Sequence, residues 1–262
     1  CLLSRGLGDV YKRQVFQLVL SRRFMQKFSG DEFNVYRALR SINPSPYLFF
    51  FDYGDYKIFG SSPEAQIIIK DGKSEIHPIA GTFKRTGNDE EDHNAAKELA
   101  KDPKENSEHI MLVDLARNDL SRSGNNVKVE KNREIQFYSH VIHLVSKVTA
   151  ILKKNIKSFK VVEDTFPAGT LTGAPKHRAL ELIEKYEKVN RNFYGGAIGY
   201  IDFNGNFNHA IIIRSFFSKN NILNYQAGAG IVIDSIPEKE LEEVRNKLGA
   251  LDKALNEAEL IK

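Results

Sequence analysis

A chain of 262 residues can bury a sizeable core as one large domain or two small ones, and 41% hydrophobic with 27% charged residues is the balance of an ordinary globular protein. A formal net charge of +4, with no basic run interleaved with aromatics, argues against a nucleic-acid binder, and no apolar run approaches the roughly 18 residues of a membrane span. The single Cys1 excludes an internal disulfide and fits a reducing, cytoplasmic compartment, and no signal-peptide pattern is present.

Residues 1–14, CLLSRGLGDVYKRQ, begin with Cys and have no clear period. They read as a foreign or mis-assembled segment and are set aside from fold reasoning. Val15 to Phe24 reads as a strand. Asp31 to Ile42 has helical spacing through Phe33, Tyr36 and Leu39, with Asp31 as cap. Pro44 and Pro46 then break the chain. Strands are expected at Tyr47–Asp52, Lys57–Ser61, Ala65–Lys70 and Ser74–Ile79, with turns at Gly54-Asp55 and Asp71-Gly72. Gly81 to His93 is polar and reads as a loop, followed by a short helix to Ala100.

Asp102 caps a stronger helix that Pro103 opens, with Ile110, Leu112, Val113 and Leu115 on its buried side. A polar loop, Asn118–Asn126, leads to strands at Val127–Val129 and Phe137–Val148; in a strand His140 and His143 fall on opposite faces. Phe166–Lys176 is a Gly/Pro/Thr loop that feeds a helix to Tyr186, with Ala179, Leu180, Leu182 and Ile183 inward. Tyr194–Phe203 and Phe207–Phe217 flank the hairpin signal Asn204-Gly205. Ile222–Ile233 carries Gly228 and Gly230 as a glycine turn, and Pro237 opens a last helix that Asp234 or Ser235 can cap. Two antiparallel sheet blocks, each followed by helices, define an α+β chain.

The chemical candidates each carry two readings. Glu105/Glu108 and Glu240/Glu243 are i, i+3 pairs on the first turns of Pro-opened helices, where the macrodipole alone stabilises carboxylates. Four carboxylates meeting would instead need a cation, and oxygen-only ligands suit Mg²⁺ better than zinc. Glu240, Glu243 and Lys247 share one helix face, opposite an apolar face of Leu241, Val244, Leu248, Leu251 and Leu255. His143 is either a core histidine or an acid–base group, and Tyr194 either a strand aromatic or a ligand contact. Arg214, ending the apolar run AIIIR, needs an anionic partner from the protein or a ligand. FPAGTLTGAPK lacks the order of a phosphate loop. Composition and spacing go no further than an α+β enzyme with an open Mg²⁺–carboxylate reading.

Eight motifs taken together go further. PIAGT at Pro78–Thr82, KENSEHIMLVDLARND at Lys104–Asp119, HLVS at His143–Ser146, AGTLTGAPK at Ala168–Lys176, YGGAIGY at Tyr194–Tyr200, IIIRS at Ile211–Ser215, QAGAGIV at Gln226–Val232 and the run ending at Lys247 resemble, in order, the chorismate-utilising enzymes. The resemblance covers Val15 to about Leu255 and implies one chorismate-binding domain, 15–262. It implies two packed antiparallel β-sheet blocks with helices outside and an active site in the cleft between. It implies Glu108 and Glu243 as direct Mg²⁺ ligands, with Glu105 and Glu240 holding the ion's waters. Tyr194 and Arg214 match residues that hold the enolpyruvyl carboxylate, completed by the backbone of Gly228, Ala229 and Gly230. His143 matches the histidine near the leaving group. Thr170, Lys247, Gly81 and Thr82 match further pocket positions.

Within the family, isochorismate- and salicylate-forming members place a lysine base where Gln17 stands, and para-aminobenzoate-forming members a lysine nucleophile where Ala80 stands. Both positions point to the anthranilate synthase branch. That branch implies an aminating subunit that takes ammonia from a glutamine amidotransferase partner, with no nucleic-acid or membrane partner. Aminodeoxychorismate synthase and a non-catalytic chorismate-binding fragment are the alternatives. Thr172 replaces the serine common in the family's GTxSGAP. Asn43, Pro44 and Tyr47 resemble half of a tryptophan feedback pocket; the family's N-terminal portion, which carries the other half, is missing.

Overall fold

The computed structural model describes residues 14–137 and 141–259. All but the last residue of the expected foreign segment, and His140, lie outside that range. The chain runs β1 (Gln17–Lys27), α1 (Glu32–Ile42), β2 (Tyr47–Asp52), β3 (Lys57–Ser62), β4 (Ala65–Lys70), β5 (Lys73–Ile76) and β6 (Ile79–Lys84). It continues through α2 (Asp89–Lys101), α3 (Pro103–Ser123), β7 (Gly124–Phe137), β8 (Val141–Leu152), α4 (Ser158–Thr165), α5 (Gly169–Thr172), β9 (Gly173–Ala174) and α6 (Lys176–Tyr186). It ends with β10 (Ala197–Ile201), β11 (Phe207–Ile211), β12 (Ser215–Lys219), β13 (Ile222–Ile231) and α7 (Pro237–Ala258). The α+β class holds.

The chain divides into two compact units. The first comprises the chain through Glu64, Pro167–Ile198 and the chain from Ala210. Its six-stranded sheet has the order β2-β3-β12-β13-β1-β9. Helices α1 and α7 bury their apolar stripes against it: Val35, Leu39, Val244, Leu248 and Leu251 meet Phe59, Phe216 and Leu223. Each fully buried large side chain contributes roughly 1.5–3 kcal/mol. The cap of α1 is as read, with Asp31 accepting from the Phe33 N–H.

The second unit comprises Ala65–Phe166 and Gly199–His209. Its sheet has the order β10-β11-β4-β5-β8-β6, with β7 also paired to β8. Helices α3 and α4 cover it through Val113, Leu120 and Val161 against Ile67, Val148 and Ala150. Asp102 caps α3 with Pro103 in its first turn, as expected.

Several elements differ from their sequence reading. Gly81 to His93 is not a loop: β6 runs through Gly81 to Lys84, and Asn88 caps α2 at Asp89. Gly81, at φ 70°, forms a bulge in the β6–β8 ladder, and a bulge glycine has the same signature as a turn. The polar stretch after Asn118 stays helical to Ser123, because Leu120 is fully buried and anchors the last turns. Phe207–Phe217 is two strands rather than one, broken before Arg214 at φ 50°. Tyr194 lies in a turn ahead of β10. Neither Asp234 nor Ser235 caps α7: the N-cap is Ile236 with no side-chain bond, and Ser235 Oγ accepts from the Val232 N–H. Leu180 and Ile110, expected inward, are exposed, as is Leu241 of the expected apolar face of α7, while Glu240 on the other face is buried.

Candidate functional site

In the first unit the polar groups gather around one end of β13. Gly228 and Gly230 do not form a turn. They lie inside the strand, in register with Ser21 and Val19 of β1. Glycine is required there by close approach: a Cβ on Gly228 would stand 2.8 Å from the Leu20 carbonyl and 3.1 Å from the Tyr194 hydroxyl. A Cβ on Gly230 would meet the Gln17 amide at 2.4 Å. Ala229 points the other way, into the core beneath α7. The Gly228 N–H donates to the Tyr194 hydroxyl, and burial holds that phenol above its usual pKa. The Gly228 carbonyl accepts from Lys247 Nζ at 2.9 Å, and Lys247 pairs with Glu243 at 2.6 Å.

Arg214 is held by its left-handed backbone and by its carbonyl, which accepts from the Ser61 N–H at 3.1 Å. Burial pushes the guanidinium pKa down, and the nearby Glu64 carboxylate opposes this. A cation stripped of water in this way is poised for an anion. Burial raises Glu64 to about 6, against the lowering effects of the Thr170 hydrogen bond, Lys247 and Arg214. Thr170 Oγ1 donates to Glu64 at 2.9 Å. Thr172, the residue that departs from the family's serine, donates inside its own turn to the Ala168 carbonyl at 2.9 Å. The unit thus presents a cationic and phenolic end beside a carboxyl group that titrates near neutrality.

In the second unit the α3 N-terminus faces the β6 bulge. A Cβ on Gly81 would lie 3.2 Å from the Glu105 carboxylate, so backbone and carboxylate are packed together. His143 Nδ1 is 2.9 Å from the Gly81 carbonyl. That bond places the proton on Nδ1 and leaves Nε2 as the nitrogen for proton exchange. Glu108 lies one helical turn beyond Glu105, partly buried. The side chain of Thr82 is outside what is described. The adjacent His109 is fully buried against Ser146 Oγ at 2.6 Å, and burial drives it down to about 4. It is a neutral framework residue.

Each unit therefore carries one carboxylate pair of the resemblance, and the donor set is oxygen only. Among the described residues no group of three or more His, Cys, Asp or Glu is disposed to hold a metal ion. The donor chemistry fits Mg²⁺, which takes few protein ligands and fills its shell with water and substrate. Of the residues expected from the resemblance to form half of a feedback pocket, Asn43 ends α1 and its carbonyl accepts from Ser61 Oγ, while Tyr47 opens β2 beyond Pro44.

Sequence reasoning missed Glu64, Glu187 and Arg191. Glu64 follows Ser61-Ser62-Pro63 and looks like turn chemistry; Glu187 and Arg191 sit in the polar run EKVNRN after α6. Nothing in their local pattern marks them, because their partners come from distant segments: Thr170 and Arg214 for Glu64, and Ser21, Val19 and Leu171 for Glu187 and Arg191.

Residues 4–253 match the model of the chorismate binding enzyme family, and the chain belongs to that family. It is 48% identical over 260 residues to anthranilate synthase component 1 of Aquifex aeolicus, covering 98% of this chain and 53% of that protein. It is 49% identical to anthranilate synthase component 1 of Bacillus subtilis, covering 94% of this chain and 48% of that protein. The crystal structure of anthranilate synthase component I from Streptococcus pneumoniae superposes with a TM-score of 0.84 at 43% identity, over 90% of this chain and 53% of that one. The chain spans about half the length of these relatives. No helix among the described residues is long and apolar enough to cross a membrane.

Proposed function

We propose that this chain is the chorismate-binding part of an anthranilate synthase aminating subunit, converting chorismate and ammonia to anthranilate and pyruvate. The observation that carries the reading is the convergence of Arg214, Tyr194, Glu64, Thr170 and Lys247 on the Gly228–Gly230 strand, in a chain so similar to anthranilate synthases. Arg214 and the Tyr194 hydroxyl bind the enolpyruvyl carboxylate. The enolpyruvyl group is an ether on C3, next to the carbon that bears the C4 hydroxyl, and Glu64, close to Arg214, takes that hydroxyl. With its pKa near 6, Glu64 protonates the hydroxyl so that it leaves as water while the ammonia nitrogen bonds to C2. The ammonium formed at C2 returns a proton to Glu64; His143 Nε2 then takes the C2 proton as the C3–O bond breaks and the ring aromatises, and passes it to the methylene of the departing enolpyruvate, which becomes pyruvate. Thr170 orients Glu64, and Lys247 fixes Gly228.

Glu108 and Glu243 would hold Mg²⁺, Glu105 and Glu240 its waters, and the ion would anchor the ring carboxylate and draw charge from the ring. Ala80, buried in β6, cannot form the covalent adduct that an aminodeoxychorismate synthase of the lysine type needs. Ammonia comes from a glutamine amidotransferase subunit in the cytoplasm, and tryptophan inhibits at Asn43, Pro44 and Tyr47. The test is to supply the purified protein with chorismate, Mg²⁺ and ammonium and follow anthranilate fluorescence. Formation of 4-amino-4-deoxychorismate or isochorismate in its place refutes the assignment.

A further inference from the structure

A heavily bonded ion pair of the first unit lies beside this site and has no role in the chemistry above. Arg191 and Glu187 have side chains only 16% and 7% exposed. Arg191 Nε is 2.8 Å from Glu187 Oε2 and Nη2 is 2.5 Å from Oε1, a bidentate pair. The guanidinium also donates to two carbonyls, Leu171 in α5 at 2.5 Å and Val19 in β1 at 2.7 Å. Glu187 Oε1 accepts a second pair of bonds, from Ser21 N at 2.8 Å and Ser21 Oγ at 2.7 Å. Ser21 Oγ in turn accepts from Gln226 Nε2 at 2.7 Å.

The targets of these bonds decide the argument. Val19 and Ser21 are the register partners of Gly230 and Gly228. Leu171 follows Thr170, the partner of Glu64. The Arg191 carbonyl accepts from the Tyr194 N–H at 2.9 Å, and its guanidinium lies 5.7 Å from the Tyr194 ring centroid. One pair therefore ties down the strand opposite the two glycines, the turn that carries Thr170, and the loop that carries Tyr194. A pair kept only for stability would be an expensive choice, since apolar replacements of buried ion pairs are often neutral or better. A pair that fixes three segments at once does what an apolar cluster cannot, because only directional bonds set register and rotamer.

We propose that Arg191 and Glu187 are positioning residues that hold Tyr194 and Gly228 in the geometry that receives the substrate's enolpyruvyl carboxylate. The inference rests on the functional reading above. The held groups bind a part of the substrate remote from C2, where nitrogen attaches. Loosening them removes binding shared by ground and transition states, which raises KM and leaves kcat nearly unchanged.

The experiment measures KM for chorismate and kcat with ammonium for the purified protein and for Arg191→Lys, Glu187→Gln and Ser21→Ala, each checked by circular dichroism and thermal melting. Lysine keeps the charge but cannot make the bidentate fork. Arg191→Lys is expected to raise KM at least about tenfold with kcat within about threefold. Ser21→Ala, which removes the hydroxyl bonds to Glu187 and from Gln226 but keeps the backbone N–H bond to Glu187, raises KM by a smaller factor of about three to five. Folded variants with lowered melting temperature but unchanged KM overturn the proposal and leave the pair a stability element. A loss confined to kcat overturns it as well. If the parent protein itself makes no anthranilate, the functional reading fails first and this inference falls with it.

Discussion

Glu64→Gln tests the site through stability as well as activity. The carboxyl group titrates at about 6 in the folded chain against an ordinary value of 4.5. Between those values the folded state keeps a proton that the unfolded state has released. Stability therefore falls as pH rises through that window and recovers fully below it. Holding the carboxyl near 6 instead of 4.5, at roughly 1.4 kcal/mol per pH unit, makes the ionised group about 2 kcal/mol destabilising at pH 7. The attraction of Arg214 and Lys247 is already included, since the raised value is the net of burial against both. Glutamine resembles the protonated acid in shape and keeps an oxygen to accept from Thr170. The variant should therefore melt higher at pH 7, by roughly 4–8 °C for a chain of this size, and the gap should close by pH 4. It should also lose about 10²-fold or more in kcat, because it has no proton to give. Melting curves across pH 4–8 with initial rates of anthranilate formation check both halves. A variant that is less stable at pH 7, or a gap that does not change with pH, refutes the reasoning about Glu64.

Three further outcomes are expected. Glu243→Ala should abolish anthranilate formation and Mg²⁺-linked chorismate binding in calorimetry, while the melting temperature moves by no more than a few degrees, because the side chain is 45% exposed and its ion pair with Lys247 contributes little. Gly228→Ala should both destabilise the protein by about 1–3 kcal/mol in urea titration and raise KM, since the added Cβ would lie 2.8 Å from a backbone carbonyl that cannot yield and 3.1 Å from the Tyr194 hydroxyl. Asp102→Ala should cost about 1 kcal/mol by removing the cap of α3, and Asn at that position should restore it, as denaturant midpoints will show.

Much of the architecture was legible because local chemistry and tertiary packing agreed. Asp31, Asp102 with Pro103, and Asn204-Gly205 each declare an element boundary, and each sits where its chemistry predicts. The errors fell where a residue type serves two masters. Gly81 is a bulge and reads as a turn. Gly228 and Gly230 are strand residues emptied for Tyr194 and Gln17, and they also read as a turn. The Asn/Ser-rich end of α3 reads as a loop until Leu120 is seen to be buried. Periodicity also misplaced single faces, Leu180 and Leu241 among them, because helical spacing gives a stripe but not the direction of the neighbour that covers it.

The site was legible unevenly for the same reason. Arg214 announced itself as a charge ending an apolar run, and burial does leave it in need of an anion. Glu64 did not, since nothing local distinguishes a carboxylate after a proline from a solvated turn. Its raised pKa comes from burial that its own segment does not provide, with Thr170, Lys247 and Arg214 brought to it from more than a hundred residues away. Arg191 and Glu187 were hidden in a polar stretch that looks solvated until Ser21, Val19 and Leu171 arrive to take up their bonds. Residues that the resemblance assigns to substrate carry motif signatures, whereas those bonded behind them become visible only once distant segments have met. That asymmetry is why the resemblance could name Arg214 and Tyr194 and still pass over the Arg191–Glu187 pair behind them.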